Sequence, residues 1–101
     1  MSLTITIQAL SDANRRRILD ILKRGEMNAG DINKKLDITG ATLSHHLDIL
    51  KRADLISGRK EGQQVIYSLN LSVFEEAAEQ LVKFFEIKTK SKSKKIEDWR
   101  G

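Results

Sequence analysis

Cysteine and proline are both absent from this chain of 101 residues, and histidine occurs only twice, at His45 and His46. Without cysteine there can be no disulfide framework and no thiolate metal site, and the composition suits a reducing compartment. Without proline nothing breaks a helix by ring geometry, which favours a helix-rich fold. No apolar run approaches the length of about 18 residues that a membrane span needs, and the N-terminus lacks the pattern of a secretory leader. The expectation is a cytoplasmic protein with no membrane insertion. The chain also lacks a cysteine nucleophile, a phosphate-binding glycine loop and a plausible catalytic triad, so an enzyme, a resident metal and a cofactor are all unexpected.

The net charge of +4 is concentrated at one end. From residue 88 onward, Lys88, Lys90, Lys92, Lys94, Lys95 and Arg100 face only Glu97 and Asp98. The first 87 residues balance to zero. Two segments follow: a compact domain over residues 1–88, and a lysine-rich tail over residues 89–101 with no apolar period, expected to be flexible. A nonspecific DNA arm and a solvated extension are both open for the tail. Any affinity of the body for a polyanion has to come from local clustering of charge.

The densest information lies in residues 37–50, DITGATLSHHLDIL. Read as a helix from Gly40 with Thr39 as N-cap, this segment has two faces. Leu43, Leu47 and Leu50 form a stripe for burial, while Ala41, His45, Asp48 and Arg52 point away, flanked by Ser44 and Lys51. A helix entering a DNA major groove needs such an outer face, with little bulk near its N-terminus and groups able to reach base edges.

The flanking segments complete a pattern. Ser11 and Asp12 are starters for a helix whose buried face carries Ile18, Ile21 and Leu22, with Leu19 on its flank, and Gly25 ends it. In that helix Arg16 can pair with Asp12 and Asp20 at four-residue spacing, and Arg15 flanks the buried face. Asn28 opens a short helix containing Ile32 and Leu36, followed by the turn Asp37-Ile38-Thr39. Residues 55–60 and 63–69 read as two strands around Glu61-Gly62. Ser72 begins a last helix, with Glu75 completing a capping box. Its apolar stripe of Phe74, Ala77, Ala78, Leu81 and Phe85, widened by Val73 and Phe84, exceeds what one small core requires. Residues 3–10 alternate Thr and Ile like a strand, yet their place before a helix argues for a short helix; both remain open. The expected fold is mainly α, a winged helix-turn-helix of about five helices with a two-stranded antiparallel β wing.

These residues carry a family likeness. Residues 9–19, ALSDANRRRIL, the run TLSHHL at 42–47, and the segment from Glu61-Gly62 through Tyr67-Ser68-Leu69 resemble the opening helix, recognition helix and wing of the ArsR/SmtB-type repressors. The likeness spans residues 7–87, and within the family the chain is most similar to the metal-free sporulation-delay autorepressor branch. Ala13 departs from the family's usual proline. The resemblance implies a homodimeric repressor bound to double-stranded DNA at an inverted repeat, with the first and last helices building the dimer. It also allows an inducer, or a membrane protein that sequesters the repressor. The family's metal sensors use cysteines before the recognition helix, or histidines and acids on the last helix. Residues 28–36 have no Cys and residues 72–88 have no His, so metal sensing is not carried over.

Each candidate has an ordinary alternative. Thr42, Ser44 and His45 are the expected base or phosphate probes, and each could instead be plain helix surface. Lys51, Arg52, Arg59 and Lys60 are expected anchors to phosphate, although charge at a hairpin tip also serves solubility. His46, beside the leucine stripe, is expected to be structural. Leu81, Phe84 and Phe85 are expected at the dimer interface. A winged helix can also serve as a protein-interaction module, and the outward face of residues 41–52 discriminates: DNA binding requires it and the alternative does not.

Overall fold

The computed structural model describes residues 2–89, so the tail lies outside the described residues from 90 onward. The order is α1 (Leu3–Leu10), α2 (Ala13–Lys23), β1 (Met27–Asn28), α3 (Ala29–Lys34), α4 (Gly40–Arg52), β2 (Ile56–Glu61), β3 (Gln64–Leu69) and α5 (Leu71–Thr89). The five helices and the antiparallel hairpin agree with the expected winged helix-turn-helix. The short β1 was not anticipated. It pairs antiparallel with β3, Met27 opposite Tyr67, and makes a three-stranded sheet in the order β1-β3-β2. Two residues are too few to leave an alternation in the sequence.

Helix wins over residues 3–10. Ser2 caps α1 by accepting the Ile5 amide at 3.3 Å. The helix buries the small residues Thr6 and Ala9 completely and leaves Ile5 and Ile7 each 48 % exposed. A strand would bury the isoleucine face instead, so the Thr/Ile alternation is not what packs here. Asp12 caps α2, accepting the Asn14 and Arg15 amides at 2.8 and 3.1 Å. Arg16 does not make the expected carboxylate pair. Its guanidinium donates to the Leu10 carbonyl at 2.7 Å, satisfying the end of α1.

One core joins the pieces. Ile18, Leu19 and Leu22 of α2 meet Ile32, Leu36, the α4 stripe of Leu43, Leu47 and Leu50, and then Leu55 and Ile56. Each fully buried Leu or Ile side chain contributes about 1.5–3 kcal/mol. The exit from α4 is tightly specified. Leu55 N–H donates to the Leu50 carbonyl at 3.1 Å and Asp54 N–H to the Lys51 carbonyl at 2.9 Å. This paired closure requires a left-handed residue at Asp54, whose φ is 59°. Leu50 and Leu55, both fully buried, pack within it. The wing therefore leaves α4 at a set angle.

The wing turn lies one residue later than the Glu61-Gly62 reading, because Glu61 still pairs with Gln64. Gly62 (φ 64°) supplies the left-handed conformation the turn needs. Gly58 is also constrained, since an added Cβ would lie 2.9 Å from Val65 and 3.2 Å from Tyr67. The last helix begins at Leu71, after Asn70 rather than at Ser72. The Asn70 side chain donates to the Asp54 carbonyl at 2.8 Å and ties the start of α5 to the end of α4.

The Asp12 cap has a pH signature. Partial burial pushes its carboxyl pKa up, but the Arg15 amide, the neighbouring His46, the Asn14 amide and the Arg15 charge together outweigh this and hold it below the ordinary aspartate value. Its contribution is therefore complete above the unfolded-state value and is lost as pH falls through the lower folded one. Asp12→Asn retains a capping oxygen without the charge. In thermal melts from about pH 5 down to about pH 2, the wild type is expected to lose more melting temperature than Asp12→Asn. Parallel acid limbs would contradict the assignment.

Candidate nucleic-acid interface

The turn Asp37-Ile38-Thr39 launches α4. Thr39 accepts the Thr42 amide at 3.1 Å, and its hydroxyl also donates to the Thr42 hydroxyl at 2.9 Å. One residue thus closes the N-terminus and orients a candidate contact. From there the phase is as the sequence implies. Leu43, Leu47 and Leu50 are buried, while Ala41, Thr42, Ser44, His45, Asp48, Lys51 and Arg52 are exposed. The face is a polar strip along one side of α4. Arg52 is engaged on that strip, its guanidinium 2.8 Å from the Asp48 carboxylate. Lys51 and Lys60 have no ion-pair partner among the described residues.

The two histidines diverge. His45 is exposed, whereas His46 is only 7 % exposed and sits at the rim of the core. The His46 Nδ1 lies 3.1 Å from Arg15 Nη1. A guanidinium can only donate, so Nδ1 accepts, and the imidazole proton sits on Nε2. Nε2 in turn faces the Asp12 carboxylate at 3.7 Å. The same Arg15 donates through Nε to the Ala9 carbonyl at 2.8 Å and through Nη2 to the Gln8 carbonyl at 3.1 Å. A single guanidinium thereby links the end of α1, the start of α2 and the inner edge of α4.

The wing differs from the picture of two free cations at a tip. Lys60 is exposed on β2 opposite Val65, but Arg59 is closely paired. Its Nη1 and Nη2 donate to the Glu26 carboxylate at 2.6 and 2.7 Å, and its Nε and Nη2 donate to Glu61 Oε2 at 3.2 and 2.9 Å. The Arg59 hydrogen bond holds the Glu26 pKa down, and the two carboxylates raise that of Arg59. Sequence reasoning missed Glu26, which is 33 residues from Arg59 and carries no local signal.

Along the last helix, α5 buries Ala77 and half-buries Val73, Phe74 and Leu81. Leu71 (59 %), Val82 (56 %), Phe84 (43 %) and Phe85 (57 %) are exposed. The Phe84 and Phe85 rings meet edge to face, with centroids 5.5 Å apart. Ala78 is exposed rather than part of the packed stripe. Among the described residues no group of three His, Asp or Glu could hold a metal ion, and no helix is long and apolar enough to cross a membrane.

A polar recognition helix over a shared core, followed by a hairpin, defines a winged helix-turn-helix DNA-binding protein. A helix-turn-helix domain family matches residues 10–59. The chain is 46 % identical over 77 residues to the transcriptional repressor SdpR of Bacillus subtilis (strain 168), covering 76 % of this chain and 86 % of that one. It is 34 % identical over 79 residues to the arsenical resistance operon repressor of Staphylococcus aureus, covering 78 % and 76 %. Among solved structures it resembles the homodimeric winged helix-turn-helix DNA-binding domain of Mb0332 from Mycobacterium bovis. The TM-score there is 0.68 at 28 % identity, with 85 % of this chain and 81 % of that one covered. The chain belongs to the ArsR/SmtB-type family of winged helix-turn-helix repressors. It is a transcriptional regulator and not an enzyme.

The contrast between the histidines is directly measurable. His46→Ala strips a buried partner from Arg15 and is expected to cost stability of about 1–3 kcal/mol. His45→Ala is expected to leave the melting temperature nearly unchanged. An inverted pair of melting curves would mean that the assigned phase of α4 is wrong.

Proposed function

We propose that the chain is a homodimeric repressor that binds an inverted-repeat operator and does not respond to metal. The observation that carries this is the outward strip of α4, where Thr42, Ser44 and His45 stand exposed near the capped N-terminus while the opposite face is consumed by the core. In this reading those three side chains probe base edges or adjacent phosphates. Lys51, Arg52, Arg59 and Lys60 supply attraction to the backbone, with Arg52 and Arg59 first having to exchange carboxylate partners. Repression follows from occupying a site that overlaps a promoter.

The dimer is supported by the apolar surface left on the first and last helices. Ile5 and Ile7 on α1, and Leu71 and Val82 on α5, are each about half exposed or more. Helices α1 and α5 are in contact with one another, so these surfaces belong to neighbouring elements. Leu81, Phe84 and Phe85 join the protomers in this reading. A two-fold dimer presents two α4 helices to successive major grooves, and its operator has matching symmetry. The lack of cysteine supports a metal-independent regulator. Release from DNA then falls to an inducer or to a sequestering membrane protein.

The test combines mass with affinity. Sedimentation at micromolar concentration is expected to give about twice the 11.5 kDa chain mass. In fluorescence anisotropy on the DNA upstream of its own coding region, His45→Ala is expected to weaken specific binding by about 1–3 kcal/mol, and zinc, cadmium or arsenite to leave it unchanged. A stable monomer would remove the inverted repeat. DNA binding indifferent to the α4 strip would favour a protein-interaction module, and metal-induced release would contradict the metal-independent reading.

A further inference from the structure

Arg59 makes more side-chain hydrogen bonds to carboxylates than any other cation among the described residues, and its partners come from different places. Glu61 ends β2 within the wing, whereas Glu26 sits in the link between α2 and β1. Two carboxylates against one guanidinium leave this cluster, on the part of β2 that leads into the wing's turn, with a local charge of −1, beside Lys60. The two-pronged Glu26 contact uses the same fork that guanidinium offers to phosphate. Its side chains are about half exposed, 52 % for Arg59 and 48 % for Glu26. An ion pair that exposed is a weak brace for a fold, but it sits where a phosphate could reach it.

We infer that Glu26, assisted by Glu61, is an internal competitor for Arg59: it occupies the guanidinium in the free protein and subtracts one phosphate contact from the hold of the wing on DNA. This rests on the DNA-binding reading of α4 and the wing. The physical basis is counterion exchange. When an unpaired arginine meets a phosphate, the DNA loses a condensed cation, which gives a slope of about 0.9 in log affinity against log salt. When Arg59 turns from Glu26 to a phosphate, the stranded carboxylate recruits a cation in its place, and the net release nearly vanishes. The wing thus carries two cations in sequence, Arg59 and Lys60, but only Lys60 contributes fully to salt-dependent binding. Glu26 thereby holds down affinity for DNA of any sequence and leaves discrimination to the α4 strip.

The experiment uses the full chain as wild type, as E26Q/E61Q, as R59Q and as the triple variant. Each is titrated against a random-sequence duplex across a salt series by fluorescence anisotropy, with melting curves to confirm folding. E26Q/E61Q is expected to bind more tightly at low salt, with a slope steeper by about 0.9. R59Q is expected to keep a slope close to wild type, and the triple variant to match R59Q in slope. Weaker binding by E26Q/E61Q would show that the pair is a brace for the wing and overturn the inference. An equal gain from the glutamate changes with and without Arg59 would reduce the effect to general charge and also overturn it. A wild-type chain with no salt-dependent DNA binding would remove the underlying reading, and this is recognised before any variant is compared.

Discussion

The guanidinium of Arg15 is the contact on which the functional geometry depends. It takes two carbonyls from the end of α1, Gln8 and Ala9, and the imidazole of His46 from α4, while its own amide is capped by Asp12. Three helices that share an apolar core could slide on it, because apolar contact is not directional. Directional bonds from one planar group remove that freedom. They fix the rotation of α4 about its axis, and the rotation decides which residues face out. With His46 turned inward to Arg15, Ser44 and His45 turn outward by the geometry of a helix.

The two ends of α4 extend that control. At the start, Thr39 closes the helix and holds Thr42 through a hydroxyl contact. At the end, the left-handed Asp54 directs the chain into β2, and Leu55 packs back on Leu50. Asn70 then returns to the Asp54 carbonyl and aligns the start of α5. The recognition strip, the wing and the last helix are therefore set from one element. The caps and the helix exit are local, whereas the Asn70 bond spans 16 positions to Asp54 and that of Arg15 spans 31 to His46.

Much of this was legible in the residues because it rests on local rules. The Thr39 and Asn28 caps, the inward stripe of Leu43, Leu47 and Leu50, and the hairpin around Gly62 follow from spacing and backbone preference. Residues 3–10 were ambiguous because their alternation has the strand period, and what decided the matter was the small pair Thr6 and Ala9 packing inward. The two-residue β1 had no period to detect. The wing was the hardest to read. Arg59 looks like a free cation in sequence, and only the fold brings Glu26 to it. The near-neutral charge of the body hinted that many cations are already partnered, without saying which.

The central claim is that the outer face of α4 reads a major groove twice, once per protomer. Dimethyl sulfate protection on the DNA upstream of the coding region tests it most directly, since the reagent reports guanine N7 in the major groove. The account predicts two protected clusters related by two-fold symmetry, with centres about 10 base pairs or a multiple apart, and their loss in Ser44→Ala/His45→Ala at unchanged stability. Binding that leaves guanine N7 reactive throughout, or protection that survives the loss of both side chains, would contradict it.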